Sequence, residues 1–244
     1  MHRHAERYAL HALVRQFARQ QVAEWPESAT LVAQLQARHS AYYLQWVNQW
    51  APHLHTATVG EALAQLRREQ ENIHAAWLWA AQTGQNAALQ SAPPGLVRFW
   101  VSSGLFREGE ALIRQALPHA DALRPALLIE QARLLQHLDE YARAANVLAE
   151  AQTFALSAPL QAAVCVIDAA LFWKQRDFAR ATAQAQQAHA LYSELAEPAG
   201  LMESLNLLGM LASYPRASPG RGGACGLGPG GVVASPTRGS ASTC

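Results

Sequence analysis

A pattern repeated along the middle of the chain limits its fold more than any other feature. Phe106-Arg107-Glu108-Gly109 leads into Ile113 and Ala116. Tyr141-Ala142-Arg143-Ala144 leads into Leu148 and Ala151, and Phe178-Ala179-Arg180-Ala181 leads into Ala185 and Ala188. Each copy has an aromatic, a small residue three positions later, a core position at seven and alanine at ten. The aromatics lie 35 and 37 residues apart, a period that belongs to solenoids of helix hairpins. The small residue lets two helices approach closely, and the aromatic closes the end of the hairpin.

A partner helix is expected before each segment. Pro125 to Leu138 offers Leu128, Ala132 and Leu135; Leu160 to Lys174 offers Cys165, Ala169 and Phe172; Gly200 to Ala212 offers Leu205, Leu208 and Gly209. Counted nine residues before the aromatic, the small position is Ala132 and then Ala169, and Gly209 supplies the next, 40 residues on. No segment alternates apolar and polar residues for long, and Ala, Leu, Gln, Arg and Glu dominate, so the expected fold is all-α.

On these residues the chain resembles the tetratricopeptide repeat family over about Pro94 to Leu211. The resemblance implies an antiparallel helix-hairpin solenoid whose concave surface binds peptides or other domains, or whose helices brace a neighbouring domain. Its repeat-defining residues here are Phe106, Gly109, Ala116, Tyr141, Ala144, Ala151, Phe178, Ala181, Ala188 and Gly209. Two departures are visible. Gln131 stands where leucine is usual, and the first copy's leading helix, Leu96 to Ser102, is short and follows Pro93-Pro94.

Upstream, periodicity predicts three helices. Arg7 to Val22 carries Leu10, Val14, Phe17 and Val22 and ends at Trp25-Pro26. Ser28 is an N-cap for Ala29 to Trp50, which carries Leu31, Leu35, Tyr42, Tyr43, Trp46 and Trp50 and stops near Pro52. Val59 to Gln82 ends at Thr83-Gly84 and carries Leu63, Leu66, Ile73, Trp77 and Trp79. Four tryptophans in two helices point to packing.

The run Tyr8-Ala9-Leu10-His11-Ala12-Leu13-Val14-Arg15-Gln16-Phe17-Ala18 resembles the end of the winged-helix segment in signal-transduction NTPases of the apoptotic-ATPase and bacterial transcription-activator type. Arg38-His39-x-x-Tyr42-Tyr43-Leu44 resembles that family's next helix. Glu69-x-x-Asn72-Ile73-x-x-Ala76-x-x-Trp79-Ala80 and Gly104-x-x-x-Glu108-Gly109 resemble two further blocks, in family order. The resemblance implies that His11 descends from a nucleotide-sensing position. The chain has no phosphate loop of the Gly-x-x-x-x-Gly-Lys-Ser/Thr kind, so His11 is expected to be an orphan, with no cofactor bound.

Composition divides the chain. Residues 213–244 hold three arginines, no acid, eight of the 15 glycines and four of the 12 prolines; the rest carries 16 basic and 18 acidic residues. A helix B should follow Leu205 to Ala212, yet Pro215, Ser218 and Pro219 occupy its place, and glycine-rich text continues. The tail reads either as an out-of-frame translation of a GC-rich helical segment or as a disordered linker. The start, beginning close before the winged-helix-like run, reads as an interior piece of a longer regulator. The expected division is 1–24 winged-helix end, 28–92 helical linker region, 94–212 repeats and 213–244 tail.

Other constellations are weaker. His2/His4 and His53/His55 have no third metal ligand at useful spacing. Cys165, the one cysteine of the body, reads as a small core residue in a reducing, cytoplasmic setting. Glu69/Glu71 and Glu108/Glu110 read as solvated helix charges. Net charge is +1, which gives no electrostatic case for nucleic acid, and no run of about 18 apolar residues suggests a membrane span. The expectation is a non-enzymatic interaction or sensor fragment of an NTPase-type regulator, with a protein, a peptide or other domains of a parent chain as partner. The alternative is a free-standing tetratricopeptide-type scaffold or adaptor.

Overall fold

The computed structural model describes residues 2–4, 7–9, 12–23, 25, 28–84, 89 and 93–213. Apart from one three-residue antiparallel strand pair, His2–His4 with Arg7–Ala9, every regular element among them is helical. There are eleven α-helices among the described residues. They are α1 (Ala12–Ala23), α2 (Ser28–Trp50), α3 (Val59–Arg68), α4 (Gln70–Gln82), α5 (Pro93–Ser103), α6 (Phe106–Ala116), α7 (Arg124–His137), α8 (Tyr141–Ala151), α9 (Ala158–Lys174), α10 (Phe178–Glu194) and α11 (Pro198–Ser213). No helix among the described residues is long and apolar enough to cross a membrane.

Three sequence expectations are corrected. The first helix starts at Ala12 instead of Arg7, because the backbone groups of Arg7–Ala9 are used in the strand pair. The expected helix Val59 to Gln82 is broken at Glu69 (φ −105°, ψ 8°). That carboxylate is buried and accepts a hydrogen bond from Asn72 Nδ2 at 3.0 Å, which in turn bonds the Tyr43 hydroxyl at 3.1 Å. Burial draws the chain inward and ends one helix there. Finally, Val14, Phe17, Leu31, Leu35 and Tyr42 face solvent and are not core.

From α5 onward one packing scheme recurs. α5 packs on α6 and α7, and α6 on α7; α7 packs on α8 and α9, and α8 on α9; α9 packs on α10 and α11, and α10 on α11. Each helix thus meets its neighbour, and alternate helices meet each other. Four of the connections between neighbours share one turn. α5, α7, α9 and α10 all end on a left-handed residue: Gly104 (φ 74°), Asp139 (φ 59°), Arg176 (φ 64°) and Ala196 (φ 50°). In each turn the next amide reaches back five residues: Leu105 to the Trp100 carbonyl (2.8 Å), Glu140 to Leu135 (2.9 Å), Asp177 to Phe172 (2.9 Å), Glu197 to Tyr192 (3.1 Å). This is the Schellman ending, which satisfies the last carbonyls and reverses the chain within three residues. Pro125, Pro159 and Pro198 then sit at helix starts, where the missing amide proton costs nothing.

A continuous apolar cluster runs from Leu44 of α2 to Leu171 of α9. Its largest members, Trp77 and Trp100, are fully buried and meet edge-on at 6.4 Å. Trp77 Nε1 donates to the Leu112 carbonyl at 3.2 Å, and Ser40 Oγ to the Ala76 carbonyl at 2.9 Å. These bonds hold α2 and α4 to one another and to α6 while leaving no buried donor open at either site.

Candidate functional site

The small residues of the sequence pattern lie at helix contacts. Ala116, Ala144, Ala151, Ala181 and Ala188 are fully buried, and a Cβ at Gly109 would stand 2.6 Å from the Trp100 ring. Phe106 and Tyr141 are half-buried, Phe178 is more exposed, and Gly209 lies on an open surface. Phe106 stacks on His137 at 5.0 Å. His11 and the tail from 214 onward lie outside the described residues, and so do the side chains of His2 and His4.

The polar groups that converge are different ones. α7, α9 and α11 share a groove of about 360 Å³ lined by Arg133, His137, Tyr141, Trp173, Lys174, Glu203 and Asn206 among others. A second, of about 530 Å³, opens between the 3-10 turn Ala51–His55, α5 and the start of α11, with Asn48, His55, Arg98 and Met202 in its wall. Arg133 lines the first groove. Its Nε lies 3.2 Å from Glu130 Oε2 on the same helix, and its other arm pairs with Glu203 of α11. Burial works against the Arg133 charge, but Glu203 and Glu130 outweigh it and hold the guanidinium proton more tightly than usual. Burial pushes the Glu130 carboxyl up in spite of Arg133. Burial, with Arg133 second, lowers both Arg98 and His137. Burial, with Arg98 second, lowers His55. Both imidazoles are therefore neutral at pH 7.

Lys174, the one lysine of the chain, has its Nζ 5.2 Å from the ring centres of both Tyr141 and Trp173 and 4.0 Å from Asp139 Oδ1. An ammonium over two aromatic faces forms a flat, cationic and partly apolar wall. Together the groove offers donors, acceptors and aromatic surface along several helices. That suits recognition of an extended chain. No three possible metal ligands converge among the described residues. Cys165 is buried under α10, and burial with Asp168 raises its thiol, so it is not poised as a thiolate.

Two expectations about acids fail. Glu69 is buried, as described, and Glu110 is buried as well. Gln131 Nε2 donates to Glu110 Oε1 at 3.0 Å, and Arg143 lies 3.4 Å from the same oxygen. Gln131, the departure from leucine, is thus the buried partner of an acid on the neighbouring helix. Glu108 accepts from Gln70 Nε2 at 3.2 Å and lies 3.3 Å from His74 Nδ1. Trp100 Nε1 meets the other ring nitrogen of His74 at 3.4 Å. Burial lowers His74 although Glu108 raises it. The neutral ring therefore donates from Nδ1 and accepts at Nε2.

Apart from Tyr141, the groove residues were not legible in the sequence, although the repeat register contains several of them. Arg133, Ala170 and Met210 each stand one position after the small-residue series Ala132, Ala169 and Gly209, and Arg98 holds the same place, eight residues before the aromatic, in the first copy. Gln136/Trp173 and His137/Lys174 are equivalent pairs 37 residues apart. The chain matches no protein-family model, no curated protein and no solved structure.

Proposed function

We propose that this chain is a non-catalytic interaction and sensing segment of an NTPase-type signalling or transcriptional regulator. Over 94–212 it is a solenoid of antiparallel tetratricopeptide-like hairpins. In this reading, the face formed by α5, α7, α9 and α11 receives an extended peptide or another part of the regulator. The observation that carries it is register. Residues at one repeat position, Arg98, Arg133, Ala170 and Met210, line grooves on that one side of the helices, as a repeat built for binding requires. Trp173 and Lys174 supply the aromatic and cationic contact that anchors a ligand.

A displayed library of random peptides, selected against the purified chain, tests this. Enriched peptides are expected to bind the wild type and to lose about tenfold or more in affinity to Trp173→Ala and Lys174→Ala. Absence of enrichment, or binding indifferent to both changes, overturns the groove reading. Titration with ATP and ADP is expected to give no heat; saturable nucleotide binding contradicts the non-catalytic assignment.

A further inference from the structure

The last described helix is covered on one face and bare on the opposite one. Gly200, Ser204, Leu207 and Leu211 of α11 are buried. On the other side Met202 is 48% exposed and Leu205 55% exposed, and a Cβ at Gly209 would meet nothing within 4 Å. The helix has a single charged side chain, Glu203, and Arg133 holds it.

The preceding helices show what such a face receives. Forty residues earlier, the positions of Met202, Leu205 and Gly209 are Ala162, Cys165 and Ala169 of α9, all buried. They pack against Ala181, Ala185, Ala188 and Tyr192 of α10. Another 37 residues back, Leu128 and Ala132 of α7 are buried too, where α7 packs on α8. Helices α7 and α9 are thus covered on both faces, and α11 on one.

We propose that Met202, Leu205 and Gly209 form a docking surface for an amphipathic helix of a partner polypeptide. Its buried side resembles that of α10, with alanines spaced four and three apart and an aromatic beyond them. Small residues are required because Met202 and Leu205 already fill the space between the two backbones. The open site at Gly209 gives the close approach. α11 of a second copy fits less well, since it brings Met202 and Leu205 where alanines belong and holds the backbones apart. This inference rests on the repeat reading given above. Met202 also borders the second groove, but Leu205 lines neither groove, and the groove test reads Trp173 and Lys174, so either can fail alone.

The experiment titrates a fluorescent peptide with the sequence of residues 177–195 into the full chain and follows anisotropy. Saturable binding in the micromolar range is expected. Leu205→Glu and Met202→Glu, each shown by circular dichroism to keep the wild-type helix content and Tm, weaken it about tenfold or more. A peptide with Ala181→Glu and Ala185→Glu does not bind. No saturable binding overturns the proposal, and so does binding that both α11 variants leave unchanged, because the peptide is then exchanging with α10 at its own site. Self-association of the chain that Leu205→Glu abolishes gives the face to a second copy and overturns it as well.

Discussion

At the scale of single residues, close approach and backbone sign decide most. A methyl group at Gly109 would stand 2.6 Å from the Trp100 ring, and Trp100 is fully buried and cannot swing away. Gly109→Ala is therefore expected to cost about 1–3 kcal/mol, read as a lower urea midpoint. Ala196 makes the opposite case. It is exposed and holds φ at 50°, a conformation that favours glycine, so Ala196→Gly is expected to stabilise by about 1 kcal/mol. His74, His137 and His55 share one pH sign. Burial lowers all three from 6.5, so the unfolded chain takes up protons first on acidification. Their contribution is complete above 6.5 and is lost as pH falls from there through the lower folded values. Asp168 and Glu130, raised by burial, have the reverse sign and lose their contribution as pH rises through their folded values. His74→Gln is expected to flatten the fall in stability between about pH 7 and pH 5.5, measured by urea midpoints across that range; an unchanged slope counts against the neutral His74. The sequence carries the small residues plainly, because size shows in the letter itself. It does not carry the buried acids, because Glu69 and Glu110 look like any helix glutamate until Asn72 and Gln131 are seen beside them.

At the scale of elements, the helices from α5 to α11 were legible because proline starts, aromatic positions and small positions repeat in step. The N-terminal helices were less so. Their apolar residues exceed what the chain covers, and periodicity alone cannot say which apolar face is buried. Leu13, Val14 and Phe17 of α1 stay exposed, while Leu44 and Val47 of α2 are covered. Local stability should follow coverage. Amide exchange is expected to be slowest in α7 and α9, which are packed on both faces, and faster in α11 and α1. A protected α1 in the isolated chain contradicts this ordering.

At the scale of the whole molecule, the groove depends on a pair distant in sequence. Arg133 and Glu203 are 70 residues apart and join α7 to α11 across the groove. Both side chains are partly screened, so Glu203→Gln is expected to cost about 1 kcal/mol in stability, and Glu130 keeps Arg133 from being left without an acid. The same change should loosen α11 and alter peptide affinity in the groove. The groove was not legible in the sequence for a related reason. Repeat arithmetic places Arg98, Arg133 and Met210 at one position, but the groove walls they line form only where α5, α7, α9 and α11 pack together.

That long-range pair also separates two kinds of event in time. Nearly all the packing from α5 to α11 joins helices that are neighbours or next neighbours in the chain, which gives short loops to close and rapid folding. The Arg133–Glu203 contact needs those helices packed first. It should therefore be absent at the folding barrier, so that Glu203→Gln leaves the refolding rate unchanged and raises the unfolding rate. A chevron whose folding arm moves instead would place α11 in the nucleus.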